Sequence, residues 1–285
     1  MQRRKAVKLI TLFVITICVM RLPVVCDIAK GGYDKKDCTI IMAGSTSMEK
    51  LTTALAESFM DKYPYVTVET EFTGSSAGIE AMLAGSVQIG NSSRALTKQE
   101  QSAGAVGNIV AVEGIVVITD TANAVTALTM GQLTDIYAGR IRNWSELGGA
   151  DVPIVVVGRE TGSGTRETFE ELLGMKDQCC YANELDSTGA VMARAASTPG
   201  AIGYISRDVL NDTVQVLSID GYMPTDHNIL EGRYPLSRPL IMATKGEITA
   251  QGKEVQLLFA YLHSAEGKRL IESVGLIVPG PEVVQ

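Results

Sequence analysis

The sequence predicts an α/β fold made of two lobes. The chain has 285 residues, more than one hydrophobic core ordinarily organises, which favours two cores. Its composition, 46% hydrophobic with 28 glycines, is typical of an ordered protein with many tight turns. Apolar segments of strand length alternate with Gly/Ser-rich loops and with segments of helical period, which is the pattern of an α/β sheet.

The first predicted lobe begins with three strands, at residues 39–43, 65–72 and 87–89. A helix follows the first strand, because Met48, Leu51, Leu55 and Phe59 recur at steps of three and four. A shorter helix is predicted at residues 79–84.

The apolar segment 109–119 is predicted to be a buried strand that crosses between the lobes. Two short helices around Trp144 and a strand at 153–157 follow. Next come a helix with Phe169, Leu172 and Leu173 on its inner side and a strand at 201–205. The chain is expected to return to the first lobe near residues 235–241. One long helix over residues 255–274 is expected to close it.

The N-terminal 26 residues have the features of an export signal or membrane anchor. Arg3, Arg4, Lys5 and Lys8 precede an uncharged segment at residues 9–20, shorter than the roughly 20 residues of a spanning helix. Cys26 stands where a lipid-anchored cysteine would, but it follows two valines rather than a smaller residue. Lipidation at Cys26 and an uncut signal therefore both stay open. Residues 27–37 are polar and are interpreted as a tether, so an extracytoplasmic protein, periplasmic or held at the outer face of the cell membrane, is expected.

The charge of the chain excludes one class of partner. The net charge is −7, and because the first 25 residues hold five basic and no acidic residues, a chain without them would carry −12. Such a protein is not expected to bind nucleic acid through its overall field. It can still bind a small anion through local hydrogen-bond donors.

The sequence indicates neither an enzyme nor a metal protein. Gly162-Ser163-Gly164 lacks the second spacer of a nucleophile elbow, and His227 and His263 are expected at the surface. No metal motif, nucleotide loop or dinucleotide fingerprint is present, so no cofactor is predicted. The adjacent Cys179 and Cys180 leave two free thiols or a strained vicinal disulfide open, with free thiols favoured.

Three strand–loop–helix junctions favour anion binding instead, at residues 44–47, 74–78 and 162–165. Helix N-termini offer unpaired backbone N–H groups, and Gly, Ser and Thr let the backbone approach an ion and add hydroxyl donors. Arg159 lies just before the third junction, and a guanidinium matches two oxygens of a tetrahedral oxyanion. Each loop alone is an ordinary capping sequence; three that converge would form a site.

Over residues 39–279 the sequence resembles the phosphate-binding proteins of phosphate ABC transporters. The stretches that carry the resemblance are AGSTS at 43–47, GSSAG at 74–78, IGNSSR at 89–94, GQLTDIYAGRIRNWSELGG at 131–149, residues 159–166, GAIGY at 200–204 and YPLSRP at 234–239.

The resemblance implies a two-lobed type II periplasmic-binding-protein fold, each lobe a mixed sheet flanked by helices, joined by two hinge strands. The expected lobes are residues 38–113 with 238–285, and residues 114–237. A monomer that binds inorganic phosphate in the cleft and delivers it to the permease subunits is expected. The implied phosphate-binding residues are Thr46, Ser47, Ser76, Ser93, Arg159, Ser163, Gly164 and Thr165.

Two positions depart from the pattern of the family. Some members carry an Asp that accepts the proton of monohydrogen phosphate where this chain has Ser93, and another Asp where it has Thr161. A hydroxyl can also accept that proton, but it does not repel an unprotonated ion. Another tetrahedral oxyanion, such as sulfate or molybdate, and a phosphate sensor without a transport role therefore stay open as alternatives.

Overall fold

The computed structural model describes residues 38–280, and the predicted export signal, Cys26 and the predicted tether lie outside this range. The strands in it are β1 (Cys38–Gly44), β2 (Val66–Glu71), β3 (Ile89–Ser92), β4 (Ala105–Thr119), β5 (Ala127–Leu128), β6 (Val155–Arg159), β7 (Asn183–Leu185), β8 (Ala201–Ser206), β9 (Gln215–Val216), β10 (Ser218–Ile219) and β11 (Ser237–Lys245). The α-helices are α1 (Glu49–Lys62), α2 (Ser75–Ala84), α3 (Lys98–Ser102), α4 (Met130–Tyr137), α5 (Gly164–Leu172), α6 (Thr188–Ser197), α7 (Asp226–Leu230), α8 (Lys253–His263) and α9 (Ala265–Ser273).

Most of these strands form one mixed sheet, in the order β2-β1-β3-β11-β4-β8-β6-β7, with β9 added on β4. The pairs β1–β2, β1–β3, β6–β8 and β6–β7 are parallel, whereas β11 and β4 pair antiparallel to their neighbours. The long strand β4 takes part in both halves: residues 105–114 pair with β11 and residues 115–119 pair with β8. The fold is therefore the predicted mixed α/β architecture of two lobes that share strands at a hinge.

Each lobe has its own hydrophobic core. In the first lobe, α1 and α8 pack on β1, and Leu51, Leu55 and Phe59 are fully buried as the helical period predicted. In the second lobe, Trp144, Phe169 and Tyr204 belong to one cluster between β4, β8 and the helices. Leu172 was wrongly predicted to face inward: it lies on the exposed side of α5, whereas Phe169 and Leu173 are buried. Smaller clusters lie under α2 and under α6. The two main clusters divide the chain between two lobes, except that Ile277 packs into the second one; the predicted boundaries at residues 113/114 and 237/238 stay predictions.

The closing helix was predicted wrongly as one segment over residues 255–274. The structure has two helices, α8 and α9, which meet at Ser264. The backbone of Ser264 is extended, with ψ 166°, and its Oγ accepts a hydrogen bond from the Gly267 N–H at 3.2 Å. The apolar period continues through the break because both helices pack on the same core, so periodicity alone could not reveal it.

The third strand lies later than predicted, at Ile89–Ser92 rather than 87–89. The strand includes Gly90 and Asn91, residue types that are typical of loops and were therefore not predicted to belong to it. Gly90 is required there because a Cβ would lie 2.9 Å from the Gly78 carbonyl oxygen of α2. A close helix–strand contact therefore accounts for a glycine that looked like a turn signal.

Within residues 38–280, no helix combines the length and the apolar character needed to cross a membrane. Cys179 and Cys180 are free thiols, and burial raises the pKa of Cys179 to about 11, so it stays protonated at neutral pH.

Candidate anion-binding site

Four helix N-termini meet between the lobes, one more than the sequence predicted. Residues 45–47 lead from β1 into α1 through a 3₁₀ turn, and Gly74 precedes α2. Ser163 precedes α5, and Ser187 precedes α6. The first N–H groups of each helix have no intrahelical partner, so the junctions point donors into one region. The fourth junction carries the usual signal, a Ser-Thr pair between a strand and an apolar-periodic segment, and could have been recognised.

Five buried hydroxyl groups form the centre of this region, and we call them the hydroxyl cluster: Ser45, Ser47, Ser75, Ser93 and Thr165. Ser45 Oγ donates to Ser93 Oγ at 2.8 Å and lies 2.9 Å from Ser47 Oγ. Ser47 Oγ lies 3.1 Å from Thr165 Oγ1, and Ser75 Oγ lies 3.3 Å from Ser93 Oγ. Because Thr165 belongs to the second lobe and the serines to the first, the lobes are in contact here.

The third predicted junction, at residues 162–165, contributes a glycine in close contact with the hydroxyl cluster as well as hydroxyl side chains. At Gly164 a Cβ would lie 2.3 Å from Ser75 Oγ and 2.9 Å from Ser93 Oγ, so any larger residue would displace the hydroxyl cluster. The neighbouring Ser163 is buried and its Oγ accepts from the Arg166 N–H, which caps α5. The structure thus places Ser163 and Gly164 beside the cluster, with Thr165 inside it.

A second group of contacts links Thr46 to Arg159. Thr46 Oγ1 lies 3.2 Å from Thr188 Oγ1, which in turn accepts a hydrogen bond from Arg159 Nη1 at 3.3 Å. Thr188, the first residue of α6, was not predicted. It joins the first lobe to the predicted arginine.

Arg159 is a buried cation without a carboxylate partner in the part of the chain that the structure describes. Its side chain is 2% exposed, and it donates to the carbonyl oxygens of Leu185 at 3.1 Å and Asp186 at 2.7 Å. Burial lowers the pKa of Arg159, because a charge is costly away from water. Such a charge is stabilised best by an anion, so this guanidinium favours a negatively charged ligand.

Ser76 is placed differently from the other predicted residues. Its Oγ donates to Glu167 Oε1 at 3.0 Å and accepts from Arg94 Nη2 at 3.0 Å, while Ser75 occupies the cluster. Its backbone N–H donates to the Gly162 carbonyl oxygen at 3.1 Å. Two adjacent serines at a helix start cannot be told apart by composition, because the turn decides which one faces inward.

Arg238 reaches the hydroxyl cluster from the hinge strand β11, and the sequence did not single it out. Its Nη2 donates to Ser47 Oγ at 3.2 Å and its Nη1 to the Ser93 carbonyl oxygen at 3.1 Å. The stretch YPLSRP at 234–239 contributes to the family resemblance. The position of an arginine in an apolar strand does not, however, predict which side chains it contacts. Within residues 38–280, no His, Cys, Asp and Glu side chains are grouped as metal ligands.

Comparison with known proteins agrees with this geometry. A family model described as a PBP superfamily domain matches residues 32–266. The phosphate-binding protein PstS of Bacillus subtilis is 36% identical over 231 residues, which cover 80% of this chain and 77% of that protein. The chain belongs to the PstS family within the PBP superfamily.

Solved structures of PstS-like proteins superpose on most of the chain. A putative phosphate ABC transporter substrate-binding protein from Clostridium perfringens, with bound phosphate, is 36% identical and covers 85% of this chain and all of its own, with a TM-score of 0.81. An ABC-type phosphate transport receptor from Vibrio cholerae is 33% identical and covers 84% of this chain and all of its own, with a TM-score of 0.72. The predicted resemblance and the periplasmic-binding-protein fold are confirmed.

Proposed function

We propose that this protein captures inorganic phosphate between its two lobes and delivers it to the permease of an ABC transporter. The observation that carries the proposal is the buried guanidinium of Arg159, which has no carboxylate partner within residues 38–280 and is linked through Thr188 to Thr46, the residue between Ser45 and Ser47 of the hydroxyl cluster. Hydroxyls, helix N-termini and a guanidinium are the donors that suit a tetrahedral oxyanion. Membership of the PstS family supports phosphate as that ion.

The ligand would be held by residues of both lobes. The first lobe supplies Ser47 and Ser93 in the cluster, and the second supplies Thr165 from the start of α5. Because the net charge of the chain is −7, short-range hydrogen bonds rather than long-range attraction must supply the affinity. The proposed phosphate-binding residues are Thr46, Ser47, Ser76, Ser93, Arg159, Ser163, Gly164 and Thr165.

Selection of phosphate would rest on hydroxyl oxygens. The hydroxyl cluster contains no carboxylate, so the proton of monohydrogen phosphate would be accepted by a hydroxyl such as Ser93 or by a backbone carbonyl. Hydroxyl groups accept as well as donate, so phosphate still gains one hydrogen bond that sulfate cannot make. A hydroxyl does not repel sulfate, so the preference is expected to be smaller than with a carboxylate.

Calorimetric titration with phosphate and with sulfate, each at two pH values, tests the proposal. Phosphate is expected to bind more tightly than sulfate at both pH values. Equal binding of the two ions would make this a general oxyanion receptor, and turnover of a phosphate ester would make it an enzyme.

The protein is proposed to act outside the cytoplasm, as a monomer, and to be held at the membrane by its N-terminus. The basic and apolar start of the sequence supports export, and either lipidation at Cys26 or an uncut signal would anchor the protein. Mass spectrometry of the native N-terminus separates these two anchors. A cytosolic protein that begins at Met1 would contradict both.

A further inference from the structure

An ion pair lies buried where the two hinge strands meet. Glu113 of β4 and Arg238 of β11 are direct partners in the antiparallel register, and both side chains are fully inaccessible. Glu113 Oε1 accepts from Arg238 Nη2 at 2.6 Å and from Nε at 2.9 Å, and Glu113 Oε2 accepts from the Ser206 hydroxyl. Replacing such a pair by apolar residues is often neutral for stability, so folding alone does not account for its presence.

The pair is continuous with the anion site. The N–H groups of Arg238 that do not bind Glu113 reach two different loops of the first lobe, at Ser47 Oγ and at the Ser93 carbonyl oxygen. Because Arg238 donates to Ser47 Oγ, that hydroxyl keeps its own proton free to donate onward. Arg238 therefore orients a cluster hydroxyl as a donor and ties two ligand loops to the hinge.

The pair also sets the charge beside the site. Burial lowers the pKa of Arg159, and the positive charge of Arg238 lowers it further, which reflects two cations acting on the same region. Glu113 neutralises one of them. Arg159, Arg238 and Glu113 together carry one net positive charge rather than two, so a dianion gains less here than it would beside two unneutralised guanidiniums. The buried carboxyl of Asp208 also faces this pair, and burial and then Glu113 raise its pKa, so it adds no negative charge at a pH low enough to keep it protonated.

We propose that Glu113 and Arg238 are positioning and specificity-determining residues of the oxyanion site: Arg238 orients Ser47, and Glu113 limits the positive charge so that hydrogen bonding, rather than ionic charge, selects the ligand. The inference rests on the proposed function and names the groups that control its selectivity. It differs from a structural role in one respect, because it assigns opposite effects on affinity to the two partners.

The test is calorimetry with phosphate and sulfate on Glu113→Gln and Arg238→Met. A glutamine at position 113 can still accept from Arg238 and contact Ser206, but it leaves the guanidinium charge unneutralised. Glu113→Gln is expected to tighten sulfate binding by about tenfold and to tighten phosphate less, most visibly at a low pH where phosphate is mostly a monoanion. Arg238→Met is expected to weaken both ions by about tenfold or more, because it leaves a buried negative charge next to the site.

Two further variants control for disturbance of the hinge. Ser206→Ala removes the hydroxyl that donates to Glu113 without changing any charge. It is expected to keep the ratio of sulfate affinity to phosphate affinity. Arg238→Lys keeps the positive charge but loses the planar guanidinium, whose several N–H groups donate at the same time to Glu113, Ser47 and Ser93. It is expected to weaken the binding of both ions with an unchanged ratio of affinities, and a shifted ratio would overturn the inference even if Glu113→Gln does not fold.

The outcomes are distinct. Weaker or unchanged sulfate binding by folded Glu113→Gln would overturn the inference. A pair with a purely structural role predicts a loss of affinity when either of its two residues is replaced. A shifted ratio in Arg238→Lys would overturn it as well. If the wild-type protein binds neither ion, the proposed function fails first and the inference fails with it.

Discussion

At the scale of single residues, Arg159 is the side chain on which affinity is expected to depend most. Arg159→Ala should weaken phosphate binding by at least about tenfold, since a charge-assisted hydrogen bond contributes about 1.5–3 kcal/mol. Arg140→Ala is a matched control, because the Arg140 side chain is 61% exposed and forms an ion pair with Asp135 at the surface. Titration of both variants by calorimetry measures the effect. A folded Arg159→Ala protein that binds phosphate like wild type would rule out the role.

Ser93 is the residue at which selectivity can be sharpened. It is fully buried among the hydroxyls of Ser45, Ser75 and Thr165, which can all donate to a carboxylate placed there. Ser93→Asp is therefore expected to raise the preference for phosphate over sulfate, because a carboxylate accepts the proton of phosphate and repels an ion without one. Competition titrations of wild type and variant give the ratio. Intact phosphate binding with an unchanged ratio would show that residue 93 is not beside the proton.

Asp208 predicts a dependence of stability on pH. Burial and then the negative charge of Glu113 raise the pKa of Asp208 from its ordinary value of 3.8 to about 7. The folded state therefore binds this proton more tightly than the unfolded state does. The resulting stabilisation is complete below about pH 4 and is lost as the pH rises through about 7.

Asp208→Asn should remove this contribution. Its free energy of unfolding should fall less than that of wild type between pH 5 and pH 8, each unit of pKa shift being worth about 1.4 kcal/mol. Asp212→Asn, at an exposed position just after the 3₁₀ turn that contains Asp208, is the control. Urea unfolding at several pH values measures this free energy. If it changes with pH equally in wild type and in Asp208→Asn, the raised pKa of Asp208 is contradicted.

At the scale of elements, α5 connects the lobes at the edge of the site. Glu167 in its first turn forms an ion pair with Arg94, with Nε 2.8 Å from Oε2, and accepts a hydrogen bond from Ser76 Oγ at 3.0 Å, while Thr168 Oγ1 donates to the Ser93 carbonyl oxygen at 3.2 Å. These contacts join the second lobe to the loops that follow β2 and β3. They can form only when the cleft is closed, so they are expected to favour the closed state.

Glu167→Gln should therefore weaken phosphate binding, but only by about two- to fivefold, because Glu167 is partly exposed and such pairs contribute about 1 kcal/mol or less. Glu171→Gln on the exposed side of α5 is the control. Small-angle scattering should show wild type becoming more compact as phosphate is added, and Glu167→Gln should need more phosphate for the same change. A radius of gyration that does not respond to saturating phosphate would argue against closure.

The elements also show where sequence reasoning succeeds and where it stops. The α1 face and the three Gly/Ser junctions could be predicted, because apolar period and capping chemistry are local properties. Arg238 could not be connected with Ser93, which lies 145 positions away in the chain. Similarly, the break between α8 and α9 at Ser264 depends on packing. The presence of Ser75 in the hydroxyl cluster, where Ser76 was predicted, depends on the geometry of one turn. The sequence thus contained the chemistry of the site, and the tertiary structure decided which side chains share it.

At the scale of the whole molecule, phosphate is expected to bind at the hydroxyl cluster between the closed lobes. Four helix N-termini, one hinge ion pair and a buried arginine that has no carboxylate partner within residues 38–280 lie in this region, although the chain as a whole is acidic. Long-range charge therefore cannot explain binding, and the position of the ion is the decisive fact.

A crystal structure grown with phosphate tests that claim most directly. We expect a tetrahedral ion within hydrogen-bond distance of Arg159, Ser47 and Thr165, with the hydroxyls of the cluster turned from one another toward the ion. An ion bound elsewhere on the protein, with the hydroxyl cluster unchanged in the same crystal, would contradict the account.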